Sequence, residues 1–155
     1  MDTVSLQNKE IPLEQLMPLI QERLDMGLSV RFRPNGVSML PLLRPGIDSV
    51  VLSPLPKKLK KYDLPLYRRT DGKFVLHRVV RVGDTYTCIG DNQYQLEHGV
   101  KAEQMLALTT AFYRGEKRYE VSGLGYQLYC RFWHYSRGTR HFLRRVKGRI
   151  RRLLG

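Results

Sequence analysis

The most regular strand pattern in the sequence is FVLHRVVRV, which runs from Phe74 to Val82. The stretch is rich in valine, and it lies between two turn-forming pairs, Asp71-Gly72 and Gly83-Asp84. Because alternate side chains of a strand point to the same face, His77 and Arg78 are expected on opposite faces. We therefore predict a long strand, with a turn at each end, that carries a histidine on one side and an arginine on the other.

Shorter segments of similar character lie on both sides of this strand. They are Val30–Arg33, Ser49–Leu52, Leu64–Tyr67, Thr85–Ile89, Met105–Tyr113 and Lys117–Val121. Upstream of all of them, Leu13–Met26 carries apolar residues three and four positions apart, the spacing of an amphipathic helix that Gly27 ends. The order of the segments predicts a mainly β domain of antiparallel strands with an N-terminal helix.

The last part of the chain has a different composition. Residues 123–155 contain nine Lys or Arg and no Asp or Glu, and the whole chain of 155 residues has a formal net charge of +13. Apolar residues form one helical stripe among these arginines: Phe142, Leu143, Val146, Ile150, Leu153 and Leu154. We predict a domain over residues 1–122 and a basic amphipathic helical tail over residues 123–155.

The basic tail suggests an anionic partner. Charge alone does not choose between a membrane surface and nucleic acid. No recognised nucleic-acid-reading motif occurs in the sequence, so we expect an anionic membrane surface, bound through the C-terminal helix, and regard nucleic acid as the weaker alternative.

A candidate nucleophile, Ser38, stands in the stretch Gly36–Pro41, GVSMLP. A serine hydroxyl is a poor nucleophile at neutral pH, so this assignment requires a base that the fold brings close to it. His77 is the natural candidate, because a large fraction of an imidazole with an ordinary pKa of about 6.5 is neutral at cellular pH. A turn that happens to contain a serine is the alternative for the isolated motif.

Four boxes in a fixed order strengthen the first interpretation. They are Gly36–Leu43 followed by Pro45-Gly46, then Lys61–Leu64, His77–Val80 and Gly90–Asn92. This order resembles type I signal peptidases and their relatives, the self-cleaving SOS repressors, over about Val30 to Val121. Bacterial signal peptidases usually have a lysine where this chain has His77, so the resemblance is to the histidine-type archaeal and endoplasmic-reticulum branch. It implies a coiled antiparallel β catalytic core and a Ser-His mechanism.

Two acids are candidates for orienting His77. Asp91 belongs to the Gly-Asp-Asn box, and Glu97 stands six residues later, where the histidine-type relatives carry an aspartate. A carboxylate at either position would hold the imidazole in its useful tautomer. We favour Asp91 slightly on the quality of its motif and keep Glu97 as the alternative.

The same resemblance implies that the backbone N–H of Ser38 stabilises the oxyanion. Some bacterial members add a hydroxyl two residues before the nucleophile, but that position is Gly36 here. We expect backbone donors to form the oxyanion hole, with Gly36 allowing close approach of the substrate. Met39 is expected to pack beneath the loop.

The cysteines and the apolar segments limit the remaining possibilities. Cys88 and Cys130 are not in a metal-ligand spacing, so we expect no disulfide framework, no zinc site and no cofactor, and a reducing compartment. No signal peptide and no run of about 18 apolar residues is visible, in contrast to membrane-anchored signal peptidases. A cytoplasmic location, peripheral on the inner face of the membrane, is therefore expected.

Together these features predict a serine endopeptidase that cleaves a peptide or protein precursor. The resemblance implies an extended substrate bound by strand addition. Two alternatives stay open: a peptide-binding module of the same fold without turnover, and a basic nucleic-acid-binding protein.

Overall fold

The computed structural model of the protein describes residues 4–6 and 12–154. In these ranges the chain forms three α-helices: α1 (Leu13–Asp25), α2 (Leu124–Tyr135) and α3 (Arg137–Leu154). It also forms a short 3₁₀ helix at Ala102–Gln104 and ten strands. The strands are β1 (Val4–Leu6), β2 (Val30–Phe32), β3 (Ser49–Ser53), β4 (Pro65–Arg68), β5 (Phe74–Leu76), β6 (Arg78–Val82), β7 (Tyr86–Ile89), β8 (Glu97–Val100), β9 (Met105–Arg114) and β10 (Lys117–Glu120).

Helix α1 follows the predicted apolar pattern. Met17, Ile20 and Leu24 are its buried residues, at the three- and four-residue spacing of one helical face. The turn after the helix contains Gly27, whose φ of +76° is a left-handed conformation that glycine adopts without steric cost. The prediction of an N-terminal helix ended by this glycine is confirmed.

Seven strands form the first sheet, in the order β1-β2-β3-β9-β4-β5 with β10 paired to β9. The pairs are antiparallel except for β1 and β2, which run parallel. Strand β2 leads directly into the loop that carries Ser38. At the other end of the described sheet, β5 is the terminal strand, so one of its edges has no strand partner there.

The second sheet contains β6, β7 and β8 in that order. The prediction of a single long strand over Phe74–Val82 is wrong, because the two halves of this segment belong to different sheets. Strand β5 belongs to the first sheet and β6 to the second, and His77 is the one residue between them.

Two hydrophobic clusters fill the interior. The larger one joins α1, the first sheet and α2, and the smaller one includes Tyr67, Val79, Cys88 and Met105. Tyr126 and Cys130 of α2 belong to the larger cluster, so the core extends past the predicted boundary at residue 122. Helices α2 and α3 are separated by Ser136.

The expected fold class is confirmed in its coarser form. The described residues form antiparallel sheets with helices at both ends of the chain. "Mainly β" is too narrow, because the helices occupy a share of the chain similar to that of the strands and α2 contributes to the core; the fold is mixed. Among the described residues, no helix has both the length and the apolar character needed to cross a membrane.

Candidate active site

The loop after β2 carries Ser38, which is half-buried and lines a cavity. Gly90, which directly follows β7, packs against this loop. A Cβ at Gly90 would lie 2.7 Å from the Ser38 carbonyl oxygen and 3.0 Å from its Cβ, closer than real side chains pack. Only glycine therefore permits the loop to approach the end of β7 this closely.

Asn92 fixes the same loop with two hydrogen bonds. Its backbone N–H donates to the Ser38 carbonyl oxygen at 2.8 Å, and its side-chain Nδ2 donates to the Val37 carbonyl oxygen at 3.2 Å. The Gly90-Asp91-Asn92 box thus positions the serine loop through its first and third residues.

His77 lies at the junction of the two sheets, and its side chain is 1% exposed. Its Nδ1 is 2.8 Å from Oε1 of Glu97, which the sequence offered as the second choice of acid. The Tyr67 hydroxyl is 3.4 Å from the same ring nitrogen. When Nδ1 carries the proton and donates to Glu97, Nε2 is left as the acceptor, which is the tautomer that a general base requires.

Tyr67 and Arg69 hold the Glu97 carboxylate in place. The Tyr67 hydroxyl donates to Oε2 at 2.8 Å, and the Arg69 Nε donates to the same oxygen at 2.9 Å. The second arm of the guanidinium, Nη2, contacts Oε1. A carboxylate with donors on both oxygens is fixed in orientation, and it fixes the imidazole in turn.

These surroundings set the protonation states of the pair. Burial lowers the pKa of His77 below its ordinary value of 6.5; the charge of Glu97 opposes this shift and the charge of Arg69 adds to it. Burial would raise the pKa of Glu97, but hydrogen bonds from Arg69 and Tyr67 and the charge of His77 outweigh it, so that pKa is lowered. At neutral pH the pair therefore consists of a neutral imidazole and a charged carboxylate.

Gly90 is the residue that connects the surroundings of Ser38 and His77. In the antiparallel ladder of β6 and β7, Arg78 pairs with Ile89, and the residues next to this pair are His77 and Gly90. Gly90 in turn touches Ser38. In the described part of the chain, no hydrogen bond joins the Ser38 hydroxyl to His77, which is common for catalytic pairs without substrate.

Asp91 is directed away from His77 and binds Arg78. The Arg78 Nε and Nη2 donate to the two carboxylate oxygens at 2.8 and 2.7 Å, and both side chains are almost fully buried. The Tyr129 hydroxyl donates to Oδ2 at 2.8 Å. The slight preference for Asp91 as the orienting acid is therefore corrected. The side chains of His77 and Arg78 point in opposite directions, so His77 contacts Glu97 and Arg78 contacts Asp91.

The positions assigned to the oxyanion loop differ in burial. Among the described residues, no group accepts a hydrogen bond from the Ser38 N–H, so the donor nominated for the oxyanion is available. Gly36 is exposed, and a Cβ there would meet nothing within 4 Å. Met39 is buried in the larger core cluster, beneath the loop, as expected of a packing residue.

The cavity beside Ser38 has a volume of about 320 Å³. One wall comes from β2 and the loop after it, including Phe32 and Gly36, and the other from β5, including Phe74 and Leu76. Apolar side chains from α1 and the core, such as Leu16 and Met39, complete the lining. The cavity is thus mostly apolar, and β5 forms part of its wall.

No family model, curated protein or solved structure matches the chain. The resemblance to histidine-type signal peptidases therefore depends on the ordered boxes, and membership of that family stays a prediction. The geometry described above comes from this chain alone.

Sequence reasoning missed four residues of this site: Tyr67, Arg69, Gly90 and Asn92. Gly90 and Asn92 belong to the Gly-Asp-Asn box, but the sequence pattern suggested a role only for the acid between them. Tyr67 and Arg69 carry no local signal, because their role depends on the pairing of β4 within the sheet and on the position of Glu97 at the start of β8.

Proposed function

We propose that the protein is a serine endopeptidase in which Ser38 is the nucleophile, His77 the general base and Glu97 the residue that orients the base. The observation that carries the proposal is the contact of 2.8 Å between the buried His77 Nδ1 and the Glu97 carboxylate. His77 and Gly90 both adjoin the Arg78–Ile89 pair of the ladder, and the loop that carries Ser38 packs on Gly90.

In this mechanism His77 Nε2 accepts the Ser38 proton as the hydroxyl attacks a peptide carbonyl. The negative charge on the carbonyl oxygen is stabilised by the Ser38 N–H. His77 then returns the proton to the leaving amine, and water releases the acyl-enzyme by the reverse proton transfers. Glu97 stabilises the imidazolium that forms in each step, and it stays ionised because its pKa is lowered.

The cavity and the edge of β5 support a peptide as the substrate. An extended segment can add to the free edge of β5 through backbone hydrogen bonds, and its alternate side chains then face the same side of the sheet. The apolar lining of the cavity favours an apolar side chain near the scissile bond. We place the reaction in the cytoplasm, on a precursor peptide or protein.

A fluorophosphonate probe tests the proposal without knowledge of the substrate. We expect the probe to label the wild-type protein and to fail on Ser38→Ala, and we expect labelling of His77→Ala to be slower by roughly 10³-fold or more. The matched controls are Ser122→Ala and His98→Ala, which remove an exposed serine and an exposed histidine outside the site. Equal labelling of Ser38→Ala and wild type contradicts the proposal.

A peptide-binding module without turnover is the second candidate. The observation that favours it is the mostly apolar cavity of about 320 Å³ with β5 in its wall, which offers an extended peptide a site whether or not Ser38 reacts. Its expected signature is saturable binding of an extended apolar peptide, with no labelling of any variant and no cleavage of the bound peptide.

A further inference from the structure

Helix α3 turns part of its basic side toward the body of the protein. The Arg140 guanidinium lies over the Trp133 ring, 3.5 Å from its centroid. One turn later, the Arg144 Nη2 donates to Oδ1 of Asn92 at 2.9 Å. An amphipathic surface helix normally buries its apolar stripe against the core, so this orientation is reversed.

The apolar stripe of α3 consequently faces outward. Phe142 is 65% exposed, Leu143 59% and Ile150 50%. Together with Val146, these residues fall within a sector of about 100° on a helix with 3.6 residues per turn. Arg140 and Arg144 lie outside this sector, on the side that contacts the body.

Helix α2 carries a second exposed apolar row. Its inner face supplies Tyr126 and Cys130 to the core. Its outer face presents four large hydrophobic residues at intervals of three and four positions, all more than half exposed: Leu124, Leu128, Phe132 and Tyr135. We call the exposed rows of α2 and α3 together the helical face.

Positive charge surrounds the stripe of α3. Arg145 and Arg149 lie on one side of it, and Lys147 lies on the other, at about 100° per residue. No Asp or Glu occurs in residues 123–155. Long basic side chains beside an apolar stripe are suited to a lipid interface, where the apolar groups enter the acyl region and the cations stay at the headgroups.

We propose that the helical face binds peripherally to an anionic lipid bilayer. The apolar residues of α3 enter the boundary between headgroups and acyl chains, and the flanking cations pair with acidic headgroups. The surface is separate from Ser38 and His77, so the proposal goes beyond the peptidase function and does not depend on it.

Charge argues against the other occupants of this surface. A second copy would place two basic helices face to face with no acidic residue in either one. Nucleic acid would pair with the cations but would leave the exposed apolar row of α3 without a partner, and Arg140 and Arg144 are engaged with the body. An anionic bilayer satisfies the apolar row and the cations together.

Co-sedimentation of the full chain with vesicles tests the proposal. We expect binding to vesicles of phosphatidylcholine with about one third phosphatidylglycerol, little binding to pure phosphatidylcholine, and weaker binding as salt rises. The triple variant Phe142→Ser, Leu143→Ser and Ile150→Ser should bind the acidic vesicles more weakly than the wild type, by about tenfold or more.

A matched variant controls for the loss of exposed apolar residues in general. Leu19→Ser with Met26→Ser and Ile47→Ser changes three exposed hydrophobic residues outside α2 and α3 and leaves the net charge unaltered. We expect it to bind vesicles like the wild type. Because all six residues are exposed, circular dichroism should show both variants folded.

Three outcomes would overturn the proposal. The first is equal vesicle binding by the wild type and the α3 variant, and the second is failure of the wild type to bind acidic vesicles. The third is dimerisation, or retention on duplex DNA at physiological salt, that the α3 substitutions abolish while vesicle binding is unaffected. Dimerisation would assign the surface to a second copy, and DNA retention would assign it to nucleic acid.

Discussion

Two acid–base pairs stand on consecutive residues, His77 with Glu97 and Arg78 with Asp91. The two side chains point to opposite sides of the chain, where His77 meets Tyr67 and Arg78 meets α2. Both pairs contain a buried cation or base and a carboxylate. They differ in what surrounds them, and this difference is the reason that we propose a catalytic role for one pair and a structural role for the other.

The Arg78–Asp91 pair is closed. Arg78 also donates to the Tyr126 hydroxyl at 2.8 Å, and Asp91 accepts from Tyr129, so residues of α2 complete the network. The backbone carbonyl of Asp91 accepts from the Trp133 indole as well. Burial is the largest single effect on Arg78 and would lower its pKa, but the charge and hydrogen bonds of Asp91, together with the electrostatic effects of Tyr126 and Cys130, outweigh it. The pKa of Arg78 is therefore raised, and the guanidinium stays charged at any pH that the fold tolerates.

The His77–Glu97 pair is open to solvent on one side. The Glu97 side chain is 20% exposed, and Arg69 behind it is 31% exposed. Burial lowers the pKa of the His77 imidazole from 6.5, so the ring is neutral and can accept a proton at neutral pH, whereas the Arg78 guanidinium stays charged. An open pair with a titratable base can exchange protons with a substrate, and a closed pair can only hold α2 against the body.

Replacing Glu97 by Gln should produce the largest effect. The amide can still accept from Tyr67, but it no longer stabilises the imidazolium, so the rate of fluorophosphonate labelling should fall by roughly 10³–10⁴-fold. Because Glu97 and Arg69 are partly exposed, the free energy of unfolding should change by about 1 kcal/mol or less. A labelling rate within a factor of three of wild type would remove Glu97 from the mechanism.

Asp91→Asn should affect stability strongly and labelling little, the opposite of Glu97→Gln. It leaves the Arg78 charge buried without its counterion, so the free energy of unfolding in urea should fall by about 3–5 kcal/mol. Labelling of the fraction that stays folded should change little. If Asp91→Asn is as stable as wild type and Glu97→Gln is not, the assignment of the two pairs is reversed.

Gly90→Ala tests the contact between the open pair and the serine loop. The new Cβ would lie 2.7 Å from the Ser38 carbonyl oxygen, so the loop must shift, and a displacement near 1 Å can reduce the labelling rate by about 10²-fold. Gly83→Ala is the control, because a Cβ there meets its nearest atom at an ordinary 3.7 Å. Equal effects of the two substitutions would show that the close contact is unimportant.

The smallest effect is expected from Arg69→Gln, which should change the pH dependence of the labelling rate. The charge of Arg69 contributes to lowering the pKa of His77, so its removal should raise that pKa. Since the neutral imidazole is the base, the wild type should keep its labelling rate to a pH below 6.5, and the variant should lose it at a higher pH. Labelling rates between about pH 4.5 and 8 measure this, with the exposed Arg68→Gln as control.

Local patterns in the sequence were sufficient for several elements. The spacing of Met17, Ile20 and Leu24 predicted α1, and the hairpin of β9 and β10 follows from two strand-like segments around Gly115. The alternation around His77 correctly separated it from Arg78. These features depend on neighbours a few residues apart, which periodicity detects.

The rest depends on contacts between distant segments. The break of the predicted strand at His77 follows from the separate partners of β5 and β6, which no local pattern shows. The choice between Asp91 and Glu97 depends on the register of β7 and β8, where an irregularity lies between Tyr86 and Cys88. A one-residue shift of register moves every side chain to the other face, so spacing along the chain could not decide it.

Asn92 connects α3 to the nucleophile loop through hydrogen bonds on both of its sides. Its amide oxygen accepts from Arg144, while its own N–H groups donate to the carbonyls of Val37 and Ser38. The helix and the loop are therefore connected through one side chain. We expect lipid adsorption that tilts α3 to alter the reactivity of Ser38, so that a bilayer would serve as an allosteric ligand as well as an anchor.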